Sequence, residues 1–303
     1  MYKIEFGKSG MQVPTGAVGC MRISNMNEKE VSAFIDTALE HGGNFFDHAD
    51  IYGGGKSEEV FGKAVSPALR EKLIVQTKCG IRPGQFDFSY EHIVGSVDRS
   101  LKRLGMEYID VLLLHRPDAL MEPEEVAEAF DTLEAAGKVR HFGVSNHNPS
   151  QIRLLKKCVK QPIEANQLQF GLGHSSMIRS GMECNVLSDG AVDRDGGVLN
   201  YCRLNDITIQ TWSPFLYGMF EGVFLGSEKF PELNKKLAEL GAEYGVSPTV
   251  MATAWILRHP AKMQMIAGTM NPEHLKEICS ATDVNLERKH WYELYLSAGN
   301  LMP

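Results

Sequence analysis

The sequence predicts an α/β protein built as a closed (β/α)8 barrel, with an N-terminal β-hairpin and a C-terminal helix packed on the outside. Three observations support this fold class. Eight short apolar runs alternate with longer segments of helical period, glycines and prolines stand where those segments begin or end, and no linker or shift in composition divides the 303 residues. Because repeated strand-then-helix order requires parallel strands, and because this length suits eight such units, we expect one domain over residues 1–303, of the TIM-barrel type.

The predicted strands are short apolar runs, several of which end in a polar residue. They cover residues 16–20, 44–48, 73–78, 109–115, 139–145, 163–169, 207–213 and 265–268. Apolar residues at i, i+3 and i+4 spacing predict helices between them, with the clearest at 28–41, 90–104, 124–136 and 231–244. Gly105 and Gly137 follow two of these helices as left-handed caps would.

Three further segments lie outside the repeating pattern. Residues 4–13 contain two short runs around Gly7 and Gly10, which predicts a hairpin closing one mouth of the barrel. Residues 286–298 have helical period and predict the external C-terminal helix. The segment 171–197 is rich in Gly, Ser and Asp, and we expect a long functional or mobile loop.

Charge and cysteine usage exclude several classes of protein. The 31 Lys and Arg against 38 Asp and Glu give a net charge of −7, and no basic run exceeds two residues, so nucleic-acid binding is not expected. No apolar run approaches the roughly 20 residues of a membrane span. The six cysteines show no zinc-site spacing, which predicts reduced, mostly buried thiols and no bound metal. We expect a cytoplasmic protein.

Four polar residues at or just after predicted strand ends are the candidate catalytic group. Asp47 ends the second strand, with Tyr52 shortly after it, while Lys78 and His115 end the third and fourth strands. The carboxyl ends of barrel strands meet at one mouth, where the active sites of such barrels lie. A barrel therefore brings these four residues together.

These side chains suit proton transfer to a carbonyl oxygen. A free tyrosine titrates near pH 10, but an ammonium about 4 Å away would favour its phenolate by roughly 4 kcal/mol at an effective dielectric near 20. We therefore expect Lys78 to acidify Tyr52, with Asp47 holding the lysine and partly offsetting it, and His115 orienting the carbonyl. No side chain donates hydride, so the same reasoning calls for a nicotinamide cofactor.

The sequence resembles the aldo-keto reductase family over essentially its whole length. The motifs that carry the resemblance are the segments at 45–53 (FFDHADIYG), 75–80 (VQTKCG), 112–118 (LLLHRPD) and 137–146 (GKVRHFGVSN). The resemblance implies an NAD(P)H-dependent carbonyl reductase and, for that family, a monomer. It also implies that Asp47, Tyr52, Lys78 and His115 form the catalytic tetrad, with Tyr52 as proton donor.

The resemblance further implies a set of cofactor-binding residues. Ser145, Asn146 and Gln167 match positions that hold the nicotinamide carboxamide, Trp212 matches the aromatic residue that stacks on the nicotinamide, and Ser213 and Leu216 would lie along the pyrophosphate. At the end of the eighth strand, the matching residues are Gly268, Thr269, Asn271 and His274.

Two of these positions depart from the family pattern. Gly268 stands where many members have lysine, and His274 where many have the arginine that grips the 2′-phosphate of NADP. A neutral histidine replaces a guanidinium poorly, so the preference over NAD is weakened. We still favour NADP(H), with NAD(H) as the other option.

Two other functions fit parts of the pattern. A metal-dependent barrel hydrolase would use His48, Asp50 and His115 as ligands. A regulatory module resembling channel β-subunits would hold the cofactor without rapid turnover. The substrate is a small carbonyl compound of unspecified identity, for which apolar Met21, Phe86, Phe88, Phe170 and Phe215 suggest a partly hydrophobic pocket.

Overall fold

The computed structural model describes residues 1–303 and contains a closed barrel of eight parallel strands. These strands are β1 (Gly16–Gly19), β2 (Phe45–Asp47), β3 (Ile74–Cys79), β4 (Ile109–Leu114), β5 (Val139–Ser145), β6 (Ile163–Gln169), β7 (Thr208–Trp212) and β8 (Gln264–Ala267). Strand order around the barrel follows chain order, and β8 closes it by pairing with β1, Met265 opposite Gly16. Every predicted strand is present with bounds that differ by no more than one residue, so the predicted barrel is confirmed.

Helices cover the outside of the barrel. They are α1 (Glu28–Glu40), α2 (Lys56–Ala64), α3 (Pro67–Arg70), α4 (Tyr90–Leu104), α5 (Pro123–Ala135), α6 (Pro149–Leu155), α7 (Ser176–Met182), α8 (Val198–Leu204), α9 (Pro231–Tyr244), α10 (Pro248–Leu257), α11 (Pro272–Ser280) and α12 (Arg288–Ser297). Gly105 caps α4 with φ 63°, and Gly137 follows α5 with φ 68°, as the sequence predicts. The main hydrophobic core lies between this helical layer and the strands.

The C-terminal helix packs on the outside of the barrel as predicted. Trp291 of α12 stacks on Trp255 of α10 with ring centroids 4.9 Å apart. Each indole N–H also donates to the other residue's backbone carbonyl, at 3.1 and 3.0 Å. Apolar burial and paired hydrogen bonds thus fix this helix.

The predicted hairpin is also present and fills the amino-terminal mouth of the barrel. Lys3–Glu5 pairs antiparallel with Gln12–Pro14. Phe6, between these strands, is fully buried and lies 5.9 Å from the Phe45 ring, within a second, smaller core inside the barrel. With this mouth closed, the carboxyl-terminal mouth remains for a ligand.

The segment 171–197 differs from the expected loop. It contains α7 and a short 3-10 turn at Asp189–Ala191. Buried Glu183 organises the turn, because it accepts hydrogen bonds from Arg179 and Ser188 and leaves no room for a side chain at Gly190. Residues 176–182 therefore form a short helix that the sequence did not predict within this segment.

The cysteines are all free, and four of them are buried (Cys20, Cys79, Cys202 and Cys279). Cys158 is half-buried and Cys184 is exposed, so the expectation of burial fails for the latter. None of the helices is long and apolar enough to cross a membrane.

Candidate active site

A cleft of about 620 Å³ lies over the carboxyl-terminal mouth of the barrel. Twelve of the fourteen site residues singled out from the sequence line it: Asp47, Tyr52, His115, Ser145, Asn146, Gln167, Trp212, Ser213, Leu216, Gly268, Thr269 and His274. The two others are Lys78, which is buried beneath the cleft, and Asn271, which caps α11 by accepting from the Glu273 N–H at 2.9 Å. The fold therefore gathers residues from most of its strands at one site.

Lys78 is the centre of the site's hydrogen bonding. Its fully buried ammonium group donates to the Asp47 carboxylate at 2.7 and 2.8 Å, to the His48 carbonyl at 2.8 Å and to the Tyr52 hydroxyl at 3.3 Å. Burial alone would lower the pKa of Lys78, but Asp47 and Tyr52 outweigh it, and the pKa lies above its usual value. Lys78 therefore remains an ammonium ion.

The backbone after β2 places Tyr52 above that ammonium group. Asp50 N–H donates to the Lys78 carbonyl at 3.0 Å, which keeps the chain against β3. Gly53 and Gly55 then take left-handed φ angles of 58° and 96°, and a side chain at either would collide with Ser24 or Arg103. This turn directs the Tyr52 hydroxyl to Lys78 and into the cleft.

The expected acidification of Tyr52 is wrong for the protein without ligands. Burial raises the pKa of Tyr52; Lys78 lowers it, and Asp47 raises it again, so the pKa lies above its usual value of 10. The physical reason is that desolvation of the buried phenol outweighs the attraction of the phenolate to the Lys78 ammonium group. Tyr52 is therefore a neutral phenol throughout the physiological pH range.

His115 lies beside Tyr52, with the two rings edge to face at 6.1 Å. Burial, together with the positive charges of Lys78 and Arg116, holds the pKa of His115 well below its usual value. Its Nδ1 atom is buried without a hydrogen-bond partner. The imidazole is neutral and can donate one hydrogen bond to a ligand.

Buried glutamine side chains connect Asp47 to the barrel interior. Gln76 Nε2 donates to Asp47 Oδ1 at 2.5 Å, and Gln167 Nε2 donates to the same atom at 3.2 Å. Gln210 exchanges hydrogen bonds with Gln76 and donates to Gln264 at 2.8 Å. Amides satisfy Asp47 without adding charge, so this network orients the carboxylate that holds Lys78.

The predicted carboxamide-binding residues form one hydrogen-bonded group. Asn146 Nδ2 donates to Ser145 Oγ at 2.8 Å, and Asn146 Oδ1 accepts from the Trp212 indole at 3.1 Å. Asn146 has a left-handed φ of 59°, which its short polar side chain tolerates. Gln167 uses its amide nitrogen for Asp47 and Gln210, which leaves its Oε1 acceptor without a partner beside the cleft.

The β8 end of the cleft carries few positive charges. Gly268, Thr269 and His274 line it, and Arg22 reaches across from the segment after β1 to donate to the Gly268 carbonyl at 3.1 Å. Lys276 of α11 is paired with Glu273 at 2.7 Å. Arg22 is therefore the only guanidinium at this end of the cleft.

Sequence reasoning missed several residues that line the cleft, among them Arg22, Ile51, Ile81 and Phe220. Phe220 lies at the tip of a hairpin formed by Leu216–Tyr217 and Gly222–Val223, and it stacks on Trp212 with ring centroids 5.8 Å apart. Gly218 and Gly222 flank this tip, and they were the sequence feature that could have predicted a turn here.

The expected apolar pocket residues are only partly correct. Met21 and Phe215 line the cleft. Phe86 is exposed on a separate hairpin, Phe88 is buried against His147, and Phe170 is buried against Trp255. The direction in which each side chain leaves its strand or loop determines whether it reaches the cleft, and sequence position alone does not give that direction.

The structure does not assemble the metal site considered from the sequence. His48 is fully buried against Phe61, with ring centroids 4.6 Å apart, and both of its ring nitrogens lack partners. His48 and Asp50 do not line the cleft that contains His115, and no group of three or more His, Cys, Asp or Glu side chains could hold a metal ion. The three ligands that a metal-dependent hydrolase would need therefore do not lie together.

A (β/α)8 barrel with a buried lysine and carboxylate beneath a cleft-facing tyrosine is the architecture of a barrel oxidoreductase. The aldo/keto reductase family profile matches residues 16–295. The chain therefore belongs to the aldo/keto reductase family and is an oxidoreductase, as the motifs predicted.

Curated relatives agree with this assignment. The chain is 35% identical over 285 residues to the uncharacterized oxidoreductase YcsN of Bacillus subtilis, covering 89% of each chain. It is 34% identical to a 6-dehydroglucose reductase of Agrobacterium fabrum, covering 88% of this chain and 87% of that one. It is also 32% identical to the oxidoreductase YdhF of Escherichia coli, covering 98% and 97%.

A solved structure shows the same fold. The crystal structure of a thermostable aldo-keto reductase in complex with the inhibitor epalrestat superposes with a TM-score of 0.77 at 26% identity, covering 98% of this chain and all of that chain. The two proteins therefore share a fold over nearly the whole of both chains.

Proposed function

We propose that this oxidoreductase reduces an aldehyde or ketone to an alcohol with a nicotinamide cofactor, and that Tyr52 donates the proton. The observation that carries the proposal is the bond from Lys78 to the Tyr52 oxygen at 3.3 Å. Because the Tyr52 oxygen accepts this bond and its own hydrogen has no acceptor in the protein, the O–H remains available to a carbonyl oxygen in the cleft.

The raised pKa of Tyr52 suits the reductive direction. A neutral phenol carries the proton that the reaction requires, whereas a phenolate would not. An alkoxide is a far stronger base than a phenolate, so proton transfer remains downhill once the carbonyl carbon is reduced. Lys78 stabilises the phenolate that forms, and Asp47 keeps Lys78 in place.

His115 positions the carbonyl rather than supplying the proton. Its pKa is held well below its usual value by burial, so at neutral pH the ring has no excess proton to give. A neutral imidazole can still donate a hydrogen bond to the carbonyl oxygen beside Tyr52. We therefore assign orientation to His115.

The residues of the cleft fit a nicotinamide dinucleotide. The free Oε1 acceptor of Gln167 matches the donor of a carboxamide, and the Trp212 ring offers a stacking surface. When bound, the reduced nicotinamide supplies the hydride. Phe220 stacks on Trp212, so a ring that takes the same face displaces Phe220.

We propose NADP(H) as the favoured cofactor and NAD(H) as a weaker one. His274 and Arg22 line the β8 end of the cleft, where a 2′-phosphate could be held. No bidentate guanidinium comes from α11, so the preference for the phosphate is expected to be modest.

The test is consumption of NADPH or NADH with a panel of simple aldehydes and ketones, measured for the wild type, Tyr52→Phe and Tyr108→Phe. Tyr108 is a matched control because its ring packs against Arg70 and Arg140, away from the cleft. We expect turnover by the wild type and Tyr108→Phe, and about 10²- to 10⁴-fold less by Tyr52→Phe with unchanged cofactor affinity.

Two outcomes would overturn the proposal. Turnover by Tyr52→Phe at the wild-type rate would remove Tyr52 as proton donor. Tight cofactor binding with only a single slow oxidation and no turnover on any carbonyl would instead indicate the regulatory module. Full activity in a chelator is expected, because no metal takes part in the proposed chemistry.

A further inference from the structure

Arg116 is a charged side chain of the cleft that the proposed chemistry leaves without a role. It follows His115 directly after β4, lines the cleft with Tyr52 and Trp212, and is half-buried. Its guanidinium carbon lies 5.6 Å from the centre of the Trp212 ring. It makes no hydrogen bond or ion pair with any other residue, and after burial the main influence on its pKa is the Tyr52 hydroxyl.

The other arginines that are not exposed all hold a carboxylate. Arg70 is 2.7 Å from Asp110, Arg103 is 2.6 Å from Glu58 and Arg179 is 3.2 Å from Glu183. A guanidinium removed from water is costly unless a partner satisfies it. Arg116 is the exception, because no carboxylate of the protein pairs with it and its half-buried side chain lines the cleft.

No acidic side chain of the protein is placed to form an ion pair with Arg116. Asp118, two residues away, accepts from the backbone N–H groups of Phe88 and Leu120, each at 2.9 Å. Asp47, the only acidic residue that lines the cleft, is neutralised by Lys78 at 2.7 Å. The cleft thus carries a net positive charge beside the proposed proton donor.

Arg116 and the β8 end of the cleft lie on different strands of the barrel. Arg116 follows β4, whereas Gly268, Thr269 and His274 follow β8, four strands away in an eight-stranded barrel. A 2′-phosphate held at the β8 end would therefore lie across the barrel mouth from Arg116. Its charge is free for the second ligand, the carbonyl compound.

We propose that Arg116 binds a carboxylate on the substrate, so that the natural substrates are carbonyl compounds that also carry a carboxylate, such as oxo acids and aldehydo acids. The planar guanidinium matches a carboxylate in a two-point contact. This arrangement would hold the carbonyl oxygen beside Tyr52 and His115. The inference rests on the proposed function, because it names the substrate class of the same site.

The experiment compares kcat/KM for charged and neutral substrates of equal size. The pairs are 4-carboxybenzaldehyde with 4-carbamoylbenzaldehyde, and succinic semialdehyde with its amide. We expect the wild type to favour the carboxylate by at least about tenfold, and Arg116→Gln to lower that ratio by about 10- to 100-fold. Arg116→Lys should restore part of it, and Arg288→Gln, an exposed position on α12, should leave it unchanged.

A binding measurement separates recognition from catalysis. Calorimetric titration of 4-carboxybenzyl alcohol into the protein with oxidised cofactor should show affinity that Arg116→Gln loses, while 4-carbamoylbenzyl alcohol should bind both proteins alike. Equal kcat/KM within each pair, with Arg116→Gln affecting both members equally, would overturn the inference and leave the proposed function standing. Absence of turnover on every carbonyl would count against the proposed function instead.

Discussion

Replacing Lys78 by methionine tests the ion pair beneath the cleft. Met has a similar length but no charge, so Lys78→Met leaves Asp47 buried with only the Gln76 and Gln167 amides as donors. Breaking a buried pair by removing one partner costs about 3–5 kcal/mol, because the remaining charge is uncompensated.

The expected change in melting temperature follows from the size of the chain. An unfolding entropy of about 2.1 cal/mol/K per residue over 303 residues gives about 0.6 kcal/mol/K. Lys78→Met should therefore lower Tm by about 5–8 °C. Carbonyl reduction should fall by at least about 10²-fold, since Tyr52 loses the cation that stabilises its phenolate.

The double variant Lys78→Met/Asp47→Asn separates stability from activity. Removing the orphaned carboxylate should recover much of the lost Tm while leaving the enzyme inactive. Lys138→Met, which breaks an exposed pair with Asp98 at 2.6 Å, is the matched control and should shift Tm by less than about 1.5 °C. Differential scanning fluorimetry measures all four proteins. An unchanged Tm for Lys78→Met, or a double variant less stable than the single one, would refute the reasoning.

Further predictions concern pH and cofactor choice. Because burial raises the pKa of Tyr52 and lowers that of His115, kcat/KM for reduction should stay flat from pH 6.5 to 9, and an inflection near pH 7 in the rate profile would contradict this. Burial, with repulsion from Glu58, raises the pKa of Asp50 to about 6, so folding favours its neutral form and stability is lost as pH rises from about 4 to 6. Asp50→Asn should consequently raise Tm at pH 7.5 by about 1–3 °C but not at pH 4, whereas an equal effect at both pH values would show that Asp50 does not titrate this way. His274→Arg should tighten NADPH selectively in fluorescence titrations, and equal changes for NADH would show that His274 does not face the 2′-phosphate.

Much of the fold could be predicted because the strands are short apolar runs with clear limits. Parallel strands buried on both faces favour apolar sequence, and the polar residues Asp47, Lys78 and His115 mark the carboxyl ends of three strands, at or beneath the cleft. Family motifs and the geometry of barrel ends then converge on the same four residues.

The energetics of those residues could not be predicted in the same way. The sequence places Lys78 near Tyr52, but the pKa of the phenol depends on how much water the fold removes from it. The glutamine network could not be predicted from the sequence either. Gln76 and Gln210 stand out as polar residues within apolar strands, but each has its hydrogen-bond partner on another strand of the barrel.

Residues on irregular segments were the hardest to assign. Asn271 lies next to cleft residues in sequence, and its side chain caps α11, as expected for a polar residue before Pro272. Phe220 reaches Trp212 only because the hairpin after β7 folds back over the cleft. Arg116 stands out by the absence of a partner, which only the assembled structure reveals.

The most direct test of proton donation by Tyr52 is a single-turnover measurement in H₂O and D₂O. Protein loaded with reduced cofactor is mixed with saturating aldehyde, and cofactor oxidation is followed by stopped flow. We expect the wild type to slow in D₂O, and Tyr52→Phe to lose both the rate and the isotope effect. A Tyr52→Phe protein that reacts as fast as the wild type, with the same isotope effect, would contradict the assignment of Tyr52.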